Sequence, residues 1–424
     1  MVMARMSETV VDVVIVGGGI TGSALALGLA RRGVAVVLAG GAAGRQTADV
    51  PVQGRQIPEM QVPGGHVSGA AQRRPIALAK GSQRILQRLG VWQRMAPGAQ
   101  PISTIVVSEK GCFAKVRLSA EEMGTDAFGY VSDALSIQAA CDAALDALAM
   151  AGARVIRIAG GGLGAMQRGP DGVTIPLDGR GQLIRAALAV GADGSGSRLR
   201  QDAGIATRVR RFDQAALTCT VWAQKPIPRR AFERFTRHGP LALLPMGDSR
   251  YGLVWCVRSE RAERLQSADE GLFADQLCGA FGRAMGRVTP CSEVARFDLE
   301  SVRAERVVGE KLVLIGNAAH QLHPVAGQGL NLGLRDVDEL CALIGKARQQ
   351  EGVDCGSAPL LQAYRHRRAA DHWRMQWATD MLGGIFCSAG GALAGARQGG
   401  LLALQLLPLA KRQLARTAMG LLHR

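Results

Sequence analysis

Lysine is scarce in this 424-residue chain: seven of the 51 basic residues, against 35 acids, so a formal charge of +16 rests almost wholly on arginine. The basic residues run from Arg5 to Arg424 in short groups, with no run of five. Neither an aromatic-interleaved basic module nor zinc-ligand spacing accompanies them, which argues against nucleic acid as a partner. A diffuse positive field suits an anionic membrane surface or plain solvation. Aromatic residues are also few, at 4%, whereas glycine reaches 55 residues. That balance excludes an aromatic-rich sandwich and favours backbone turns pressed against ligands. The nine cysteines contain no CxxC, and several sit in apolar contexts such as Val254-Trp255-Cys256-Val257. Such a pattern suits reduced, buried thiols in a cytoplasmic protein. No predominantly apolar run of about 18 residues free of glycine clusters occurs, so no transmembrane helix is expected. The apolar Val10–Ala30 segment carries Arg31-Arg32 after it rather than before it, the reverse of a signal peptide.

Hydrophobic residues make up 47% of the chain, enough for a large core, and the length suits two or three domains. Val11–Val16 and Val34–Leu38 have the β-branched character of buried parallel strands. Between them Ile20–Arg32 has helical apolar spacing, ended by Gly33. Residues 40–73 lack periodicity and are expected to form a long loop. Ile76–Trp92 and Ser136–Ala151 have amphipathic patterns and predict helices. From 205 to about 300 the pattern becomes short strands separated by turn residues: Leu217–Trp222, Leu241–Pro245 and Tyr251–Val257. An antiparallel sheet, and hence a second domain, is expected there. Lys311–Ile315 returns to a buried strand and leads to a helix over Leu330–Ala347. The tail from Met381 contains no acidic residue, and its Leu-rich runs are punctuated by Arg397, Lys411, Arg412, Arg416 and Arg424. It reads either as helices packed on the body or as a basic, membrane-surface element.

Three segments carry the chemistry. Gly17-Gly18-Gly19-Ile20-Thr21-Gly22 is a GxGxxG between a strand and a helix. Gly17 permits the tight turn, Gly19 lets backbone approach a pyrophosphate, and Gly22 lets helix and strand pack closely. The acid expected at the end of the second strand, for a ribose, is replaced by Ala39. The second segment, Gly191-Ala192-Asp193-Gly194, follows an apolar strand and on its own fits an ordinary turn. The third runs from Val313 through Gly316-Asn317-Ala318-Ala319-His320 and His323-Pro324 to Gly327-Gln328-Gly329 and Asn331. Its strand, Gly-rich loop and long helix would aim backbone N–H groups at an anion. His320 and His323 have no nearby Cys or carboxylate in sequence to complete a metal site, so no metal is expected.

Together these segments resemble the flavoprotein aromatic hydroxylases of the para-hydroxybenzoate hydroxylase type. Arg74-Pro75-Ile76-Ala77-Leu78, Phe232–Thr236, Gly239–Met246 and His323–Gly333 narrow the resemblance to the ubiquinone-biosynthesis hydroxylases. The resemblance implies an α/β fold, a Rossmann-like FAD-binding domain interrupted by an antiparallel-sheet substrate domain, with a C-terminal helical tail. Its expected spans are 10–204, with some substrate-domain segments within it, and 306–350 for FAD, 205–305 for the antiparallel-sheet substrate domain and 351–424 for the helical tail. It implies non-covalent FAD, with NAD(P)H and O₂ as co-substrates. Oxygen would reach a polyprenylated phenol through a C4a-hydroperoxyflavin. Gly17, Gly19 and Gly22 would hold the ADP part, Arg74 would meet the phosphate or flavin region, and Asp193 and Gly194 would serve FAD and transient NAD(P)H. Gly316 belongs to the same cofactor site, and Asn317 would take the ribityl role that the wider family gives to Asp. Pro324, Gly327, Gln328, Gly329 and Asn331 would shape or line the flavin site. His323 is the one weak candidate for assisting phenol deprotonation, since the flavin does the chemistry. An anionic membrane surface and a quinone-biosynthesis complex are the expected partners, on the inner face of the cytoplasmic membrane. The alternatives are a hydroxylase of another aromatic substrate or a catalytically impaired FAD-binding scaffold.

Overall fold

The computed structural model describes residues 7–40, 75–112, 115–158, 163–177, 182–322, 327–350 and 354–387, with four positions between 413 and 420. Side chains of the last long helix are described as far as Thr379. Arg74, His323, Pro324 and the predicted 40–73 loop beyond Gly40 lie outside the described residues, as does most of the tail.

An eight-stranded sheet forms the base of the molecule. Ser7–Val16 pairs in parallel with Gln182–Gly191 on one side and Val36–Ala39 on the other. Gln182–Gly191 pairs in parallel with Leu312–Leu314, and Val36–Ala39 with Val155–Ile158. Register brings the carboxyl ends level: Val16 lies opposite both Gly191 and Ala39, and Gly191 opposite Leu314. The three glycine-bearing turns therefore leave the sheet along one edge. Val13, Val14 and Ile15 are completely buried, as a parallel strand covered on both faces requires. The Ile20–Ala30 helix is buried from Gly22 to Ala30 and packs against the helices Ala134–Met150 and Gln328–Arg348.

A nine-stranded sheet stands beside it. Thr207–Ala223, Arg250–Val257, Gly239–Gly247 and Arg230–Thr236 form its antiparallel centre. The sheet is wider than the sequence pattern predicts. Thr104–Glu109 joins it in parallel with Arg230–Thr236, and Lys115–Ser119 follows as a hairpin partner. One face packs Phe232, Leu243, Tyr251 and Trp255 against Phe273 and Phe281 of the Glu270–Phe281 helix. The other packs Ala231, Leu244 and Met246 against Ile102, Val131 and Ala77. Ala77 belongs to a small three-stranded sheet made by Pro75–Ala79, Gly129–Asp133 and Gln100–Ile102.

The helix predicted over Ile76–Trp92 is corrected at both ends. Pro75–Ala79 is a strand, the Lys80–Arg88 helix follows, and a short Trp92–Met95 turn of helix stands apart. Pairing of Pro75–Ala79 with Gly129–Asp133 supplies inter-strand hydrogen bonds that outweigh its weak helical periodicity. The Ala134–Met150 helix begins where Asp133 accepts a hydrogen bond from Ser136 N, a side-chain cap at the helix start. Of the eight described cysteines, five are buried. Burial pushes the Cys141 and Cys341 thiols up to about 12, so they serve as packing.

Candidate active site

The three glycine segments touch one another at the level strand ends. Gly17 has φ +119°, and a Cβ built there would collide with the Ala192 carbonyl, so only glycine fits. Ala192 N donates to Val16 O at 2.7 Å, and Gly17 N donates to Ala39 O at 2.8 Å. A Cβ on Gly22 would strike the Gly17 carbonyl, which lets the helix start directly above the strand. The third segment joins through Ile315 N to Gly191 O at 2.9 Å. Thr21, in the first segment, packs directly against the third: Cβ atoms on Gly316 and Gly333 would each lie 3.2 Å from its side chain.

Gly19 and Gly194 behave differently. A Cβ on either would meet nothing within 4 Å. The inner glycines thus weld the segments together, while these two leave space at the start of the Ile20–Ala30 and Arg198–Asp202 helices. Asp193 Oδ2 accepts from Leu199 N at 3.1 Å, while its Oδ1 is buried without a partner. Asn317 is exposed on the Gly316–Ala318 turn, with its Oδ1 3.9 Å from where a Gly329 Cβ would stand. Gly327, at φ +58°, caps the Gln328–Arg348 helix beside Ala77. Gln328 and Gly329 begin that helix. An open cradle bordered by bare backbone and two helix starts has the shape and polarity for a dinucleotide pyrophosphate.

Asn331 has another employment. It is 1% exposed, its Oδ1 accepts from Ala79 N at 2.8 Å, and its Nδ2 donates to Ala77 O at 2.9 Å and Gly327 O at 3.1 Å. The amide is spent on clamping the Pro75–Ala79 strand and the Gly327 turn together.

Sequence reasoning missed three residues. Buried Arg200 donates to Ala318 O at 2.9 Å and Ser195 O at 2.6 Å, tying the second and third segments. Gln138 donates to Gly18 O at 3.2 Å. Asp336, fully buried on the Gln328–Arg348 helix, accepts from four donors. They are Gly316 N at 3.1 Å and His320 Nε2 at 2.8 Å on Oδ2, and Arg368 Nε and His372 Nε2, both at 2.7 Å, on Oδ1. No linear signal links these positions, since Arg368 and His372 come from the Ala358–Cys387 helix.

The fold gives His320 the carboxylate neighbour that the nearby sequence lacks, which removes the ground on which a metal was excluded there. His320, Asp336 and His372 offer ligand atoms within 4.8 Å of one another. Each carboxylate oxygen already receives two hydrogen bonds, and Oδ1 takes one of its pair from the Arg368 guanidinium, so the group is arranged as a hydrogen-bonded knot. Burial opposes ionisation of Asp336, yet attraction to His372, Arg368 and His320 holds its carboxyl well below the usual range. Burial also holds His372 below the ordinary histidine value, against the pull of Asp336. An anion is thus fixed under the Gly316–Ala318 turn.

A sheet whose central strands run parallel, with glycine turns at their carboxyl ends and a second sheet standing beside that edge, defines a dinucleotide-binding α/β protein. Comparison with known proteins specifies the class. A family described as FAD binding domain matches residues 68–379. The chain is 35% identical over 417 residues to the ubiquinone hydroxylase UbiL of Rhodospirillum rubrum, covering 98% of this chain and 91% of that one. To the 3-demethoxyubiquinol 3-hydroxylase of Escherichia coli it is 33% identical, covering 98% and 100%. Among solved structures, PqsL of Pseudomonas aeruginosa, a probable FAD-dependent monooxygenase, superposes with a TM-score of 0.74 at 20% identity, covering 93% of this chain and 100% of that one. The chain belongs to the FAD-dependent ubiquinone-biosynthesis hydroxylase family and is an FAD-dependent monooxygenase.

Proposed function

We propose that the protein hydroxylates the ring of a polyprenylated phenol in ubiquinone biosynthesis, using NAD(P)H and O₂. The observation that carries the reading is the convergence of three glycine turns on one open edge beside the apolar Ala231–Leu244 face of the second sheet. FAD, when bound, supplies hydride acceptance and oxygen activation; the chain supplies position and electrostatics. In this reading 10–204 and 306–350 hold FAD, apart from the Thr104–Glu109 and Lys115–Ser119 strands, which join 205–305 in facing the substrate, and 351–424 forms the C-terminal region.

Gly17 and Gly22 set the turn, and the open backbone at Gly19 receives the pyrophosphate. Arg74, immediately before Pro75 in sequence, supplies positive charge to the phosphate or flavin region. Asp193 and Gly194 face the cofactor, the unpartnered Oδ1 of Asp193 accepting a hydroxyl. Gly316 and Asn317 meet the ribityl chain, where the Asn amide can both donate and accept. Pro324, Gly327, Gln328 and Gly329 shape the approach to the ring, and the positive end of the Gln328–Arg348 helix favours negative charge on the reduced ring. Asn331 serves this site indirectly, through its clamp. His323, which lies outside the described residues, either shapes the loop or assists removal of the phenolic proton.

Peripheral contact with the inner face of the cytoplasmic membrane fits the +16 charge and the stacked pair Trp373 and Trp377, 57% and 55% exposed beside Arg374. Among the described residues no helix is long and apolar enough to cross a membrane. The decisive experiment reconstitutes the protein with FAD, records the visible spectrum, adds NADH or NADPH without oxygen, then admits O₂ with a prenylated phenol. Bleaching followed by a product one oxygen atom heavier is expected. Protein that stays colourless after reconstitution with excess FAD and removal of the unbound cofactor overturns the reading.

A further inference from the structure

We infer that Glu233 contacts the substrate, its carboxyl oxygen accepting the hydrogen bond of a ring hydroxyl. The inference rests on the phenol-hydroxylase reading and adds the residue that recognises the hydroxyl.

Arg230–Thr236 lies between Gly239–Gly247 and Thr104–Glu109, so its side chains alternate between the two faces of the sheet. Phe232 takes the helix-covered face, where its ring meets Phe281 edge-on at 5.3 Å. Ala231 takes the opposite face, packed with Ile102, Val131 and Ala77. Glu233 follows Ala231 by two residues, on the same face and about 7 Å further along the strand. Its direct cross-strand neighbours are Val107 and Ala242, both apolar.

That face looks toward the cofactor edge. The strand that begins at Pro75 is pressed against it, since a Cβ on Gly252 would collide with the Pro75 ring. Ala77 of the same strand touches Gly327, where a Cβ would lie 3.8 Å from the Ala77 Cβ, and its carbonyl accepts from Asn331. Contacts therefore run without a break from the Gly327 turn through Ala77 and Ala231 to the neighbourhood of Glu233.

Among the described residues Glu233 has no ion-pair or hydrogen-bond partner, although it is half-buried. Burial alone pushes its carboxyl up to about 7, with no cation opposing the rise. A carboxyl held between Val107 and Ala242 without a partner is costly to keep. A ligand hydroxyl placed over that face offsets the cost. A neutral phenol carries the required donor, and its prenyl tail suits the apolar surroundings.

The test compares a short-chain prenylphenol with its methyl ether, which keeps the shape and loses the donor. Binding of both is measured to the FAD-loaded wild type, Glu233→Gln and Glu233→Leu. The wild type should prefer the phenol by about fivefold or more, the value of one hydrogen bond. Glu233→Leu should lose that preference, and Glu233→Gln, which keeps an acceptor oxygen, should retain part of it. FAD affinity and the flavin spectrum should be unchanged in both. An equal phenol-to-ether ratio in wild type and Glu233→Leu overturns the assignment; if Glu233→Leu fails to fold, a ratio in Glu233→Gln undiminished from wild type does the same. A wild type that binds FAD but neither compound overturns the phenol-hydroxylase reading instead.

Discussion

Replacing Gly19 by valine separates the cofactor's demand for space from the fold's. Gly19 has φ −74° and ψ −179°, an extended conformation open to any residue, and a Cβ there meets nothing within 4 Å. The fold should tolerate Gly19→Val, with a stability change within about 1 kcal/mol. The pyrophosphate should not. A branched side chain at the helix start holds the phosphate away from the backbone N–H groups, and each hydrogen bond to a charged group is worth about 1.5–3 kcal/mol. Loss of one raises the Kd for FAD by about 10–150-fold, and loss of two abolishes binding at practical concentrations. Gly17→Ala is the opposite case. Its φ of +119° and the Ala192 carbonyl against it make the fold itself pay, by about 1–3 kcal/mol or more. Urea unfolding together with FAD fluorescence titration distinguishes the two. If Gly19→Val binds FAD within about threefold of wild type, less than the loss of one bond, the space at Gly19 is not where the cofactor lies.

Three further outcomes follow from the geometry. Asp336→Ala strips a buried partner from Arg368, His320, His372 and Gly316 N, and should cost about 3–5 kcal/mol in urea unfolding, with smaller than 1 kcal/mol contradicting the knot. Asp336 and His372 both titrate below their ordinary values, so the folded state binds fewer protons than the unfolded chain. Stability should therefore fall as pH drops through about 6.5, on account of His372, and again below about 3.9, on account of Asp336. A melting temperature that stays level from about pH 8 to pH 5 in wild type would contradict the first step, and His372→Gln should flatten it. Asn317→Leu, at an exposed turn position, should fold normally and weaken FAD binding by about 1–3 kcal/mol, whereas Asn317→Asp should keep FAD and make it harder to reduce; equal affinity in Asn317→Leu would place that side chain away from the cofactor.

The sequence determined what is local. The β-branched run before Gly17 is a strand because its neighbours bury both faces, and the strand-to-helix turn forms because at Gly17 and Gly22 glycine alone removes the Cβ atoms that would collide there. Ala189–Gly191 and Lys311–Ile315 are legible for the same reason. Tertiary structure decided what needs partners distant in the chain. Pro75–Ala79 carries a pattern that fits a helix, and only pairing with Gly129–Asp133 makes it a strand. Thr104–Glu109 joins the second sheet although it lies 126 residues before its parallel partner, as in Thr104 opposite Arg230. Asn331 reads as a cofactor ligand beside Gly327-Gln328-Gly329, yet its amide is claimed by backbone across 252 residues, at Ala79. Asp336 looks like an ordinary helix surface acid until the Ala358–Cys387 helix lays Arg368 and His372 against it. A linear pattern records periodicity and steric need at each position, whereas a buried charge is determined by which donors surround it, and those are assembled only when the helices pack.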